Sequence, residues 1–580
     1  MPNFFTDNED IQFYFRRMDL KRLARIMEED FSYAEKYDFA PEGEDDAVDN
    51  YRLILESVGD ICGNIIAPTA EDNDREGNTL TEDGDVRRPK GIVQAIDALG
   101  KADLMGFTLP YRFGGINCPT LIYTMSNDIL SRSDSSLMNI YGLQGIAETI
   151  NAFADEEIKR QYLPPMASGE WTGAMVLTEP DAGSDLQSVK TRAYQDEDGQ
   201  WYVRGVKRFI TNGCGEVLLV LARTEPEITD GRGLSLLLVE KGPRVKIRRL
   251  EDKMGIHASP TCEIFFDDAP AKLIGERQRG LISYVMSLMN GARIGIASQS
   301  LGIAEAAYRV ARDYAAERRQ FETAIENFPA IREILVRMSV DLQAARALTY
   351  HAAFCVDLEN GALRKMEFGD VDSDERKQLR KTSRHYGRYN KMLTPMSKYY
   401  ASEMCMRVTR DAISVMGGSG YMRDYPAERL YRDARITTIY EGTSELQVVA
   451  AVAGVTSGTA RNFIEELLDE DWSESVAPLV EQIRNGLEML TECVEFIKNQ
   501  PGRTYRDLHA RRLVDMATYL TIAAIMCQHA AADESKRATL RYWLRWRMAE
   551  MRMLSEQIRS GDQSAVDEFD QLAATVATEE

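Results

Sequence analysis

The stretch Arg-Ile-Thr-Thr-Ile-Tyr-Glu-Gly-Thr-Ser-Glu-Leu-Gln, residues 435–447, places the carboxylate of Glu441 between a β-branched and aromatic run and a glycine. Ser444 and Gln447 have the spacing of a capping box, which predicts that a helix begins there. Glu441 is then expected on a turn, near N–H groups that point outward from a helix N-terminus. A carboxylate there can take a proton while the amides polarise an acceptor oxygen. A surface glutamate before a helix has the same local sequence, so the segment alone does not decide the function.

The 580-residue chain is long enough for several domains, and its formal net charge of −22 argues against a general affinity for nucleic acid or anionic membranes. Eight scattered cysteines without a CxxC pair, and five histidines without an HExxH motif, argue against a disulfide framework and a metal site. The first residues lack the features of a secretory signal. The longest uncharged run, Met516–Ala532, is interpreted as a buried helix. These features predict a cytoplasmic protein with reduced thiols and no membrane span.

Hydrophobic patterning predicts an α+β multidomain protein in which helical domains flank an antiparallel β domain. The predicted parts are an N-terminal extension at 1–45, an N-terminal helical domain at 46–170, a middle β domain at 171–277, a C-terminal four-helix-bundle domain at 278–456 and an extra C-terminal helical domain at 457–580. In the N-terminal half, helices are expected at 8–37, 46–65, 90–104, 120–133 and 139–163, with loops at 41–48 and 70–89. In the last domain, the arginine-rich segment Lys536–Met553 is interpreted as a packing helix with its arginines directed outward.

The middle part consists of short β-rich runs that glycine and proline interrupt. Asp198-Gly199 is a hairpin signal between Val189–Ala193 and Trp201–Val203. Further strands are expected at Glu216–Ala222, Leu234–Val239, Val245–Arg249 and Cys262–Phe266. This pattern is typical of an antiparallel domain of barrel-like or sandwich-like form.

Two segments of the middle part could bind a ligand through backbone and hydroxyl groups. Residues 178–185, Thr-Glu-Pro-Asp-Ala-Gly-Ser-Asp, form a turn-rich run after an apolar strand. In this run Gly183 lets a ligand approach the backbone closely, and Ser184 can donate a hydrogen bond to phosphate. Residues 207–213 read Lys-Arg-Phe-Ile-Thr-Asn-Gly and offer a hydroxyl and an aromatic ring. Read alone, each segment is an ordinary loop or strand end.

Three further segments lie in the second helical part: Met-Asn-Gly-Ala-Arg at 289–293, Glu-Arg-Arg-Gln-Phe at 317–321 and Gly-Gly-Ser-Gly-Tyr at 417–421. Together with the segments above, they resemble the signature of the acyl-CoA dehydrogenase family in order and spacing. The resemblance spans roughly residues 46–455, and the extensions at both ends resemble the enlarged branch of that family. Phe209 stands where the family usually has tryptophan, so a stacking ring is kept with less area.

The resemblance implies FAD as the cofactor, an acyl-CoA as the substrate and a homo-oligomer, either a dimer or a tetramer. The implied cofactor-binding residues are Met175, Leu177, Thr178, Gly183, Ser184, Phe209, Thr211, Arg318, Phe321, Ser414, Gly417, Gly418, Thr443 and Glu445. The implied substrate-binding residues are Ser184, Asn290, Arg293, Tyr440 and Gly442. In the family, the arginine that matches Arg318 binds the flavin pyrophosphate of a neighbouring subunit, and its forked donors suit a diphosphate.

The resemblance also implies a reaction of the kind used in fatty-acid β-oxidation. Glu441 would remove the α-proton of an acyl-CoA thioester, and flavin N5 would accept the hydride from Cβ, which yields a trans-2-enoyl-CoA. Hydrogen bonds from the Glu441 backbone N–H and a flavin ribityl hydroxyl would stabilise enolate character at the thioester carbonyl. The reduced flavin would pass its electrons to an electron-transferring flavoprotein.

Two alternatives to this function stay open at the level of sequence. An acyl-CoA oxidase of the same fold would use oxygen as the electron acceptor. A non-catalytic flavoprotein of the same fold would bind DNA, but that function favours a basic surface and needs no carboxylate at 441.

Overall fold

The computed structural model describes residues 2–369 and 371–573. A helical part is followed by a β barrel, a second helical part and a further group of helices, so the predicted fold class is confirmed. Met1 and residues 574–580, the outer ends of the predicted extension and of the predicted last domain, lie outside the described residues.

The N-terminal part is helical apart from a short hairpin. Its elements are α1 (Glu9–Arg17), α2 (Leu20–Met27), α3 (Glu44–Ile61), α4 (Ala70–Glu76), β1 (Thr79–Leu80), β2 (Val86–Arg87), α5 (Lys90–Lys101), α6 (Thr120–Ser133), α7 (Ser135–Gly142), α8 (Gly145–Phe153) and α9 (Glu156–Ala167).

Three predictions for this part were wrong in extent. The helix predicted at 8–37 is two shorter helices that end at Met27, because Glu29, Asp30 and Phe31 take positive φ values that no right-handed helix accommodates. The helix predicted at 139–163 is divided among α7, α8 and α9, and the Asp155 side chain starts α9 by accepting the Ile158 N–H at 2.9 Å. The loop predicted at 70–89 contains α4 and the β1–β2 hairpin.

The middle part forms a barrel. Its strands are β3 (Gly173–Val176), β4 (Arg192–Gln195), β5 (Trp201–Thr211), β6 (Val217–Arg223), β7 (Leu234–Glu240), β8 (Val245–Leu250) and β9 (Thr261–Ile274). Strands β4, β5, β9, β7 and β6 pair in a closed ring, with β3 added to β6 and β8 added to β9. Most pairs are antiparallel, as predicted, but β3 and β4 both run parallel to β6. The strands that lie between them in sequence provide the crossover that a parallel pair requires.

Strand β6 is buried on both of its faces, which explains its continuous apolar sequence. Val217, Leu219 and Leu221 pack against the N-terminal helices, whereas Leu218 and Val220 point into the barrel. A strand that is covered on both sides shows no alternation of polar and apolar residues. The barrel is therefore joined to the helical parts through one of its central strands.

The second helical part is an antiparallel bundle with four shorter attached elements. It contains α10 (Met286–Glu317), β10 (Arg319–Gln320), β11 (Thr323–Ala324), α11 (Pro329–Phe368), α12 (Ser373–Met416), α13 (Gly418–Tyr421), α14 (Ala427–Thr437) and α15 (Ser444–Thr456). Helices α10, α11, α12 and α15 form the bundle, and β10 and β11 form a small hairpin at the C-terminal end of α10.

The last group of helices packs on the bundle mainly through α18. It comprises α16 (Thr459–Leu468), α17 (Ala477–Lys498), α18 (Thr504–Ala532), α19 (Glu534–Arg559), α20 (Ser564–Asp567) and α21 (Phe569–Leu572). The run Met516–Ala532 lies in α18 and is mostly buried, as predicted. In residues 2–369 and 371–573, no helix combines the length and apolarity needed to cross a membrane. On α19 the prediction of outward arginines fails for Arg547, which is largely buried and donates to Asp341 at 2.7 Å.

A buried ionic cluster joins the predicted extension to the rest of the chain. Arg346 on α11 pairs with Asp10 at 2.7 Å, with Asp128 at 2.9 Å and with Glu305 at 3.0 Å. These partners lie on α1, α6 and α10, and Asp10 also pairs with Lys536 of α19. The first residues of the chain are therefore part of one continuous core.

Candidate active site

Glu441 lies on the turn between α14 and α15, in the left-handed region with φ at 54°. Helix α15 begins at Ser444, as expected, but its N-cap is Thr443, whose hydroxyl oxygen accepts the Leu446 N–H at 3.4 Å. The predicted capping box of Ser444 and Gln447 was therefore displaced by one residue. Ser444 instead donates to Glu403 at 2.6 Å, because its side chain points toward α12.

Two buried side chains hold this turn through its carbonyl groups. Lys398 of α12 donates from Nζ to the carbonyl oxygen of Gly442 at 2.7 Å. Gln447 donates from Nε2 to the carbonyl oxygens of Glu441 and Gly442, each at 3.0 Å. The Glu441 backbone N–H has no acceptor in the described ranges 2–369 and 371–573. The carbonyls of the turn are thus fixed, and the Glu441 amide is left to bind an oxygen of a ligand.

Burial dominates the electrostatics of Glu441. It raises the pKa of this carboxyl to about 7, against the opposing effect of Lys398 and Arg293. Burial also lowers the pKa of Lys398 to about 8. Arg293 on α10 donates to Asn290 at 3.0 Å, and its Nε has no partner in the described part of the chain. The site therefore combines a carboxyl that titrates near neutral pH with a cation that has a free donor.

Tyr440 directs its hydroxyl away from Glu441, into the interior. The hydroxyl lies 3.1 Å from Oδ1 of Asn139 and also contacts Oε1 of Gln299. Gln299 in turn donates to Asn139 at 3.1 Å and to the carbonyl of Ser135 at 3.0 Å. In this arrangement Tyr440 can offer a ring surface to a substrate, while its hydroxyl is already engaged.

The two turn-rich segments of the barrel lie side by side. The carbonyl of Thr178 accepts the Arg208 N–H at 3.0 Å. Beneath this contact, Lys207 donates to the carbonyl of Leu177 at 2.7 Å and pairs with Glu179 at 3.0 Å. Both charged side chains are buried, and the two oxygens of Glu179 also accept the backbone N–H groups of residues 190 and 191. Burial lowers the pKa of Lys207 to about 8, and Lys207 keeps the pKa of Glu179 below its usual value despite burial. This pair fixes the two segments to each other.

Groups on these two segments remain accessible to a ligand. Phe209 has a φ of 60° and leaves 52% of its surface exposed. Thr178, Thr211 and Met175 are half-buried, Gly183 and Ser184 are exposed, and Leu177 is buried. Asn212, at φ 53°, donates to the carbonyl of Gly173 at 2.9 Å and so anchors the end of β5 to β3. An exposed ring beside hydroxyl groups and a glycine-containing loop fits a flavin and its phosphates.

Five other predicted cofactor residues form a separate group at the far end of α10, whereas Thr443 and Glu445 lie at the start of α15. Arg318 and Phe321 lie on the β10–β11 hairpin, and Phe321 is 90% exposed. Ser414, Gly417 and Gly418, also exposed, lie close by, because Tyr314 contacts Ser419 at 3.1 Å. At 1.5 Å per residue, α10 separates Arg318 from Arg293 by about 38 Å. Within one chain this group does not meet Glu441, whereas a neighbouring chain could supply it.

Several residues of the site were missed at the level of sequence. Lys398 and Gln447 act by donating to carbonyl groups of the turn. No local sequence pattern on a helix indicates which carbonyl its side chains contact. Glu179 and Lys207 lie in segments 178–185 and 207–213, but their pairing was not predicted. Charged residues beside apolar strands could have indicated a buried ion pair. Glu445, a predicted cofactor residue, is paired in the structure with Arg511 of α18 at 2.6 Å.

Comparison with family models places the whole arrangement in one family. The model described as acyl-CoA dehydrogenase, N-terminal domain, matches residues 49–170, the middle-domain model matches 174–269, and the C-terminal-domain model matches 279–368 and 377–455. A fourth model, acyl-CoA dehydrogenase C terminal, matches residues 456–565.

Individual relatives agree with the family models. An acyl-CoA dehydrogenase of Bacillus subtilis (strain 168) is 37% identical over 374 residues, which cover 63% of this chain and 90% of the relative. The structure of butyryl-CoA dehydrogenase from Megasphaera elsdenii is 31% identical with a TM-score of 0.59, covering 70% of this chain and 98% of the other. An acyl-CoA dehydrogenase from Bacillus anthracis, solved with FAD, has a TM-score of 0.76 at 22% identity and covers 91% of this chain and 92% of its own, which shows a shared fold. The chain belongs to the acyl-CoA dehydrogenase family of FAD-dependent oxidoreductases.

Because the Lys207–Glu179 pair holds the two barrel segments together, its removal should lower both the stability of the protein and its FAD content. In Lys207→Met the carboxylate of Glu179 stays buried without its cation, which costs about 3–5 kcal/mol of unfolding free energy. We expect a lower Tm and a lower ratio of FAD to protein by visible absorbance. Lys190→Met is the matched control, since Lys190 pairs with Asp181 at 3.2 Å on the surface. Full FAD content and an unchanged Tm in Lys207→Met would contradict the anchoring role.

Proposed function

We propose that this protein dehydrogenates an acyl-CoA thioester between its α and β carbons, with Glu441 as the base that removes the α-proton. The observation that carries the proposal is the Glu441 carboxyl, half-buried on a left-handed turn, with a pKa raised to about 7 by desolvation. A general base is most effective when its pKa lies near the working pH, and an ordinary surface glutamate is a much weaker base.

The α-proton of a thioester is a weak acid, so its removal needs stabilisation of negative charge at the carbonyl oxygen. The Glu441 backbone N–H, which has no acceptor in the described part of the chain, is a suitable donor to that oxygen. Lys398 and Gln447 hold the adjacent carbonyls, so the amide need not reorganise during the reaction. Arg293 adds a positive charge next to the base.

The residues of the barrel segments would hold FAD, which accepts the hydride from Cβ when it is bound. Phe209 would stack on the ring system, Thr178 and Thr211 would donate to its polar edge, and Ser184 would contact the pyrophosphate. Their exposed or half-buried state and their fixed backbone are compatible with these roles. The Arg318 hairpin of a second subunit would complete the site at the pyrophosphate, which makes a homo-oligomer part of the proposal.

An acyl chain could lie between α7 and α10, next to Glu441. Met138 of α7 is buried there. Its Cε lies 3.2 Å from the position that a Cβ would take at Gly142 and 3.6 Å from the corresponding position at Gly295. The absence of a Cβ at Gly142 leaves room beside this flexible side chain, which would form the floor of an acyl pocket. As acceptor of the electrons we propose an electron-transferring flavoprotein, and peroxide formation in air would indicate an oxidase.

Replacement of Glu441 by glutamine tests the base directly. The variant keeps the shape of the side chain and removes the proton acceptor, so FAD should stay bound and an acyl-CoA should still perturb its spectrum. Anaerobic flavin bleaching should slow by roughly 10²–10⁴-fold, the usual cost of losing a positioned base. Glu441→Asp should recover part of the rate. Bleaching of Glu441→Gln at the wild-type rate would show that the base lies elsewhere.

The raised pKa of Glu441 predicts how the rate depends on pH. The base must be ionised, so the rate of flavin bleaching should fall as pH decreases through a midpoint near 7. Lys398 lowers the pKa of Glu441, so Lys398→Met should move this midpoint to higher pH. Lys391→Met, an exposed lysine of the same helix, is the control. A midpoint near 4 to 5, the ordinary range of glutamate, would contradict the assignment.

Arg318 lies at the opposite end of α10 from Arg293 and the Glu441 turn. This separation predicts that FAD binding depends on the assembly of subunits. Arg318→Ala should lower FAD retention, measured as flavin per subunit after gel filtration, and should weaken the oligomer seen by light scattering. Arg319→Ala is the neighbouring control, because Arg319 donates to the carbonyl of Glu322 within its own hairpin. A monomer with full FAD and full activity would overturn the contribution of a second subunit.

A further inference from the structure

We propose that Arg511, on α18 of the C-terminal helical group, is a positioning residue that clamps the turn carrying Glu441. This inference rests on the proposed function of Glu441. It assigns a role in the reaction to the helices that follow residue 456, which contain none of the predicted cofactor or substrate residues.

Arg511 pairs with two carboxylates, Glu445 and Glu403, that lie next to the turn carrying Glu441. One nitrogen of its guanidinium lies 2.6 Å from the Glu445 carboxylate, and another lies 3.4 Å from the Glu403 carboxylate. Glu403 of α12 accepts a hydrogen bond from Ser444 at 2.6 Å. Ser444 and Glu445 belong to the first turn of α15, and only the N-cap Thr443 separates them from Glu441 and Gly442. The guanidinium therefore connects the start of α15 with α12, directly through Glu445 and through Glu403, which is bonded to Ser444.

The geometry of Arg511 is itself fixed. Its guanidinium lies over the ring of Tyr399 at 5.2 Å, and the Tyr399 hydroxyl donates to Asp515 of α18 at 2.7 Å. Tyr399 is the residue after Lys398, which donates to the carbonyl of Gly442. Of these two adjacent residues of α12, Lys398 thus holds the turn and Tyr399 holds the guanidinium of Arg511. A guanidinium held on an aromatic ring loses little further freedom when it pairs with carboxylates.

Removal of Arg511 has a defined electrostatic consequence. Without it, Glu403 and Glu445 lose the cation between them, and repulsion between the two carboxylates favours displacement of the first turn of α15. An isolated exposed ion pair contributes little, but here one cation serves two carboxylates and an aromatic ring, so a measurable effect is expected. The effect should appear in the turn and in the chemical step, with the FAD site left intact.

The test compares Arg511→Ala with Arg512→Ala in the FAD-bound, full-length protein. Arg512 is the matched control, since it bonds to Gln557 at 2.9 Å and to the carbonyl of Leu508, both within the C-terminal helices. Two readouts are needed: hydrogen exchange of the peptide that contains residues 441–447, and anaerobic flavin bleaching with a panel of acyl-CoAs beginning with butyryl-CoA. The first does not depend on activity.

Arg511→Ala should exchange faster than wild type in residues 441–447. At saturating acyl-CoA its bleaching rate should fall about fivefold, with a smaller change in half-saturating concentration. Arg511→Lys should recover part of the rate, and Glu445→Gln combined with Arg511→Ala should cost less than the sum of the two changes. Wild-type exchange in Arg511→Ala, or an equal effect of Arg512→Ala, would overturn the clamp. A wild-type enzyme that no acyl-CoA bleaches would overturn the proposed function, while the exchange experiment would still decide whether Arg511 holds the turn.

Discussion

Partial burial of the Glu441 carboxylate on a left-handed turn is the constraint on which the rest of this site depends. A glutamate with a φ of 54° is held in a conformation that is uncommon for a residue with a Cβ, so the surrounding structure has to maintain it. Lys398 and Gln447 do so through three hydrogen bonds to the carbonyls of residues 441 and 442. The turn that these bonds maintain keeps the carboxyl partly out of water, and this desolvation raises its pKa.

A buried charge pair has a similar function in the barrel. Lys207 and Glu179 lie in an apolar environment, where each charge would be costly without the other. Their pairing joins the ends of β3 and β5, and this leaves Phe209 and the neighbouring hydroxyl groups accessible. The barrel and the bundle thus use buried lysines in the same manner, to fix a backbone segment whose own side chains stay accessible to a ligand.

Sequence patterns predicted the order of domains and most strands, because hydrophobic periodicity and hairpin signals are local. The extent of several helices could not be predicted, since the positive φ values at Glu29–Phe31 and the cap at Asp155 interrupt an apolar pattern that continues past them. Motifs identified Glu441 and the barrel segments, while Lys398 and Arg511 act across more than 40 residues of sequence. The parallel pairing of β3 with β6 depends likewise on where the barrel closes, which no single strand encodes. The distance along α10 between Arg293 and Arg318 could be read from sequence only once the helix was known to be continuous.

The protonation state of Glu441 in the resting protein is the central claim, and infrared difference spectroscopy measures it directly. The carboxylic C=O band of the FAD-bound wild type, after subtraction of Glu441→Gln, should appear as pH is lowered through about 7, the pKa that burial gives this carboxyl. Isotope labelling of glutamate assigns the band. A Glu441 band that titrates near the ordinary glutamate value of about 4.3 would contradict the account, because the turn would then provide no base suited to neutral pH.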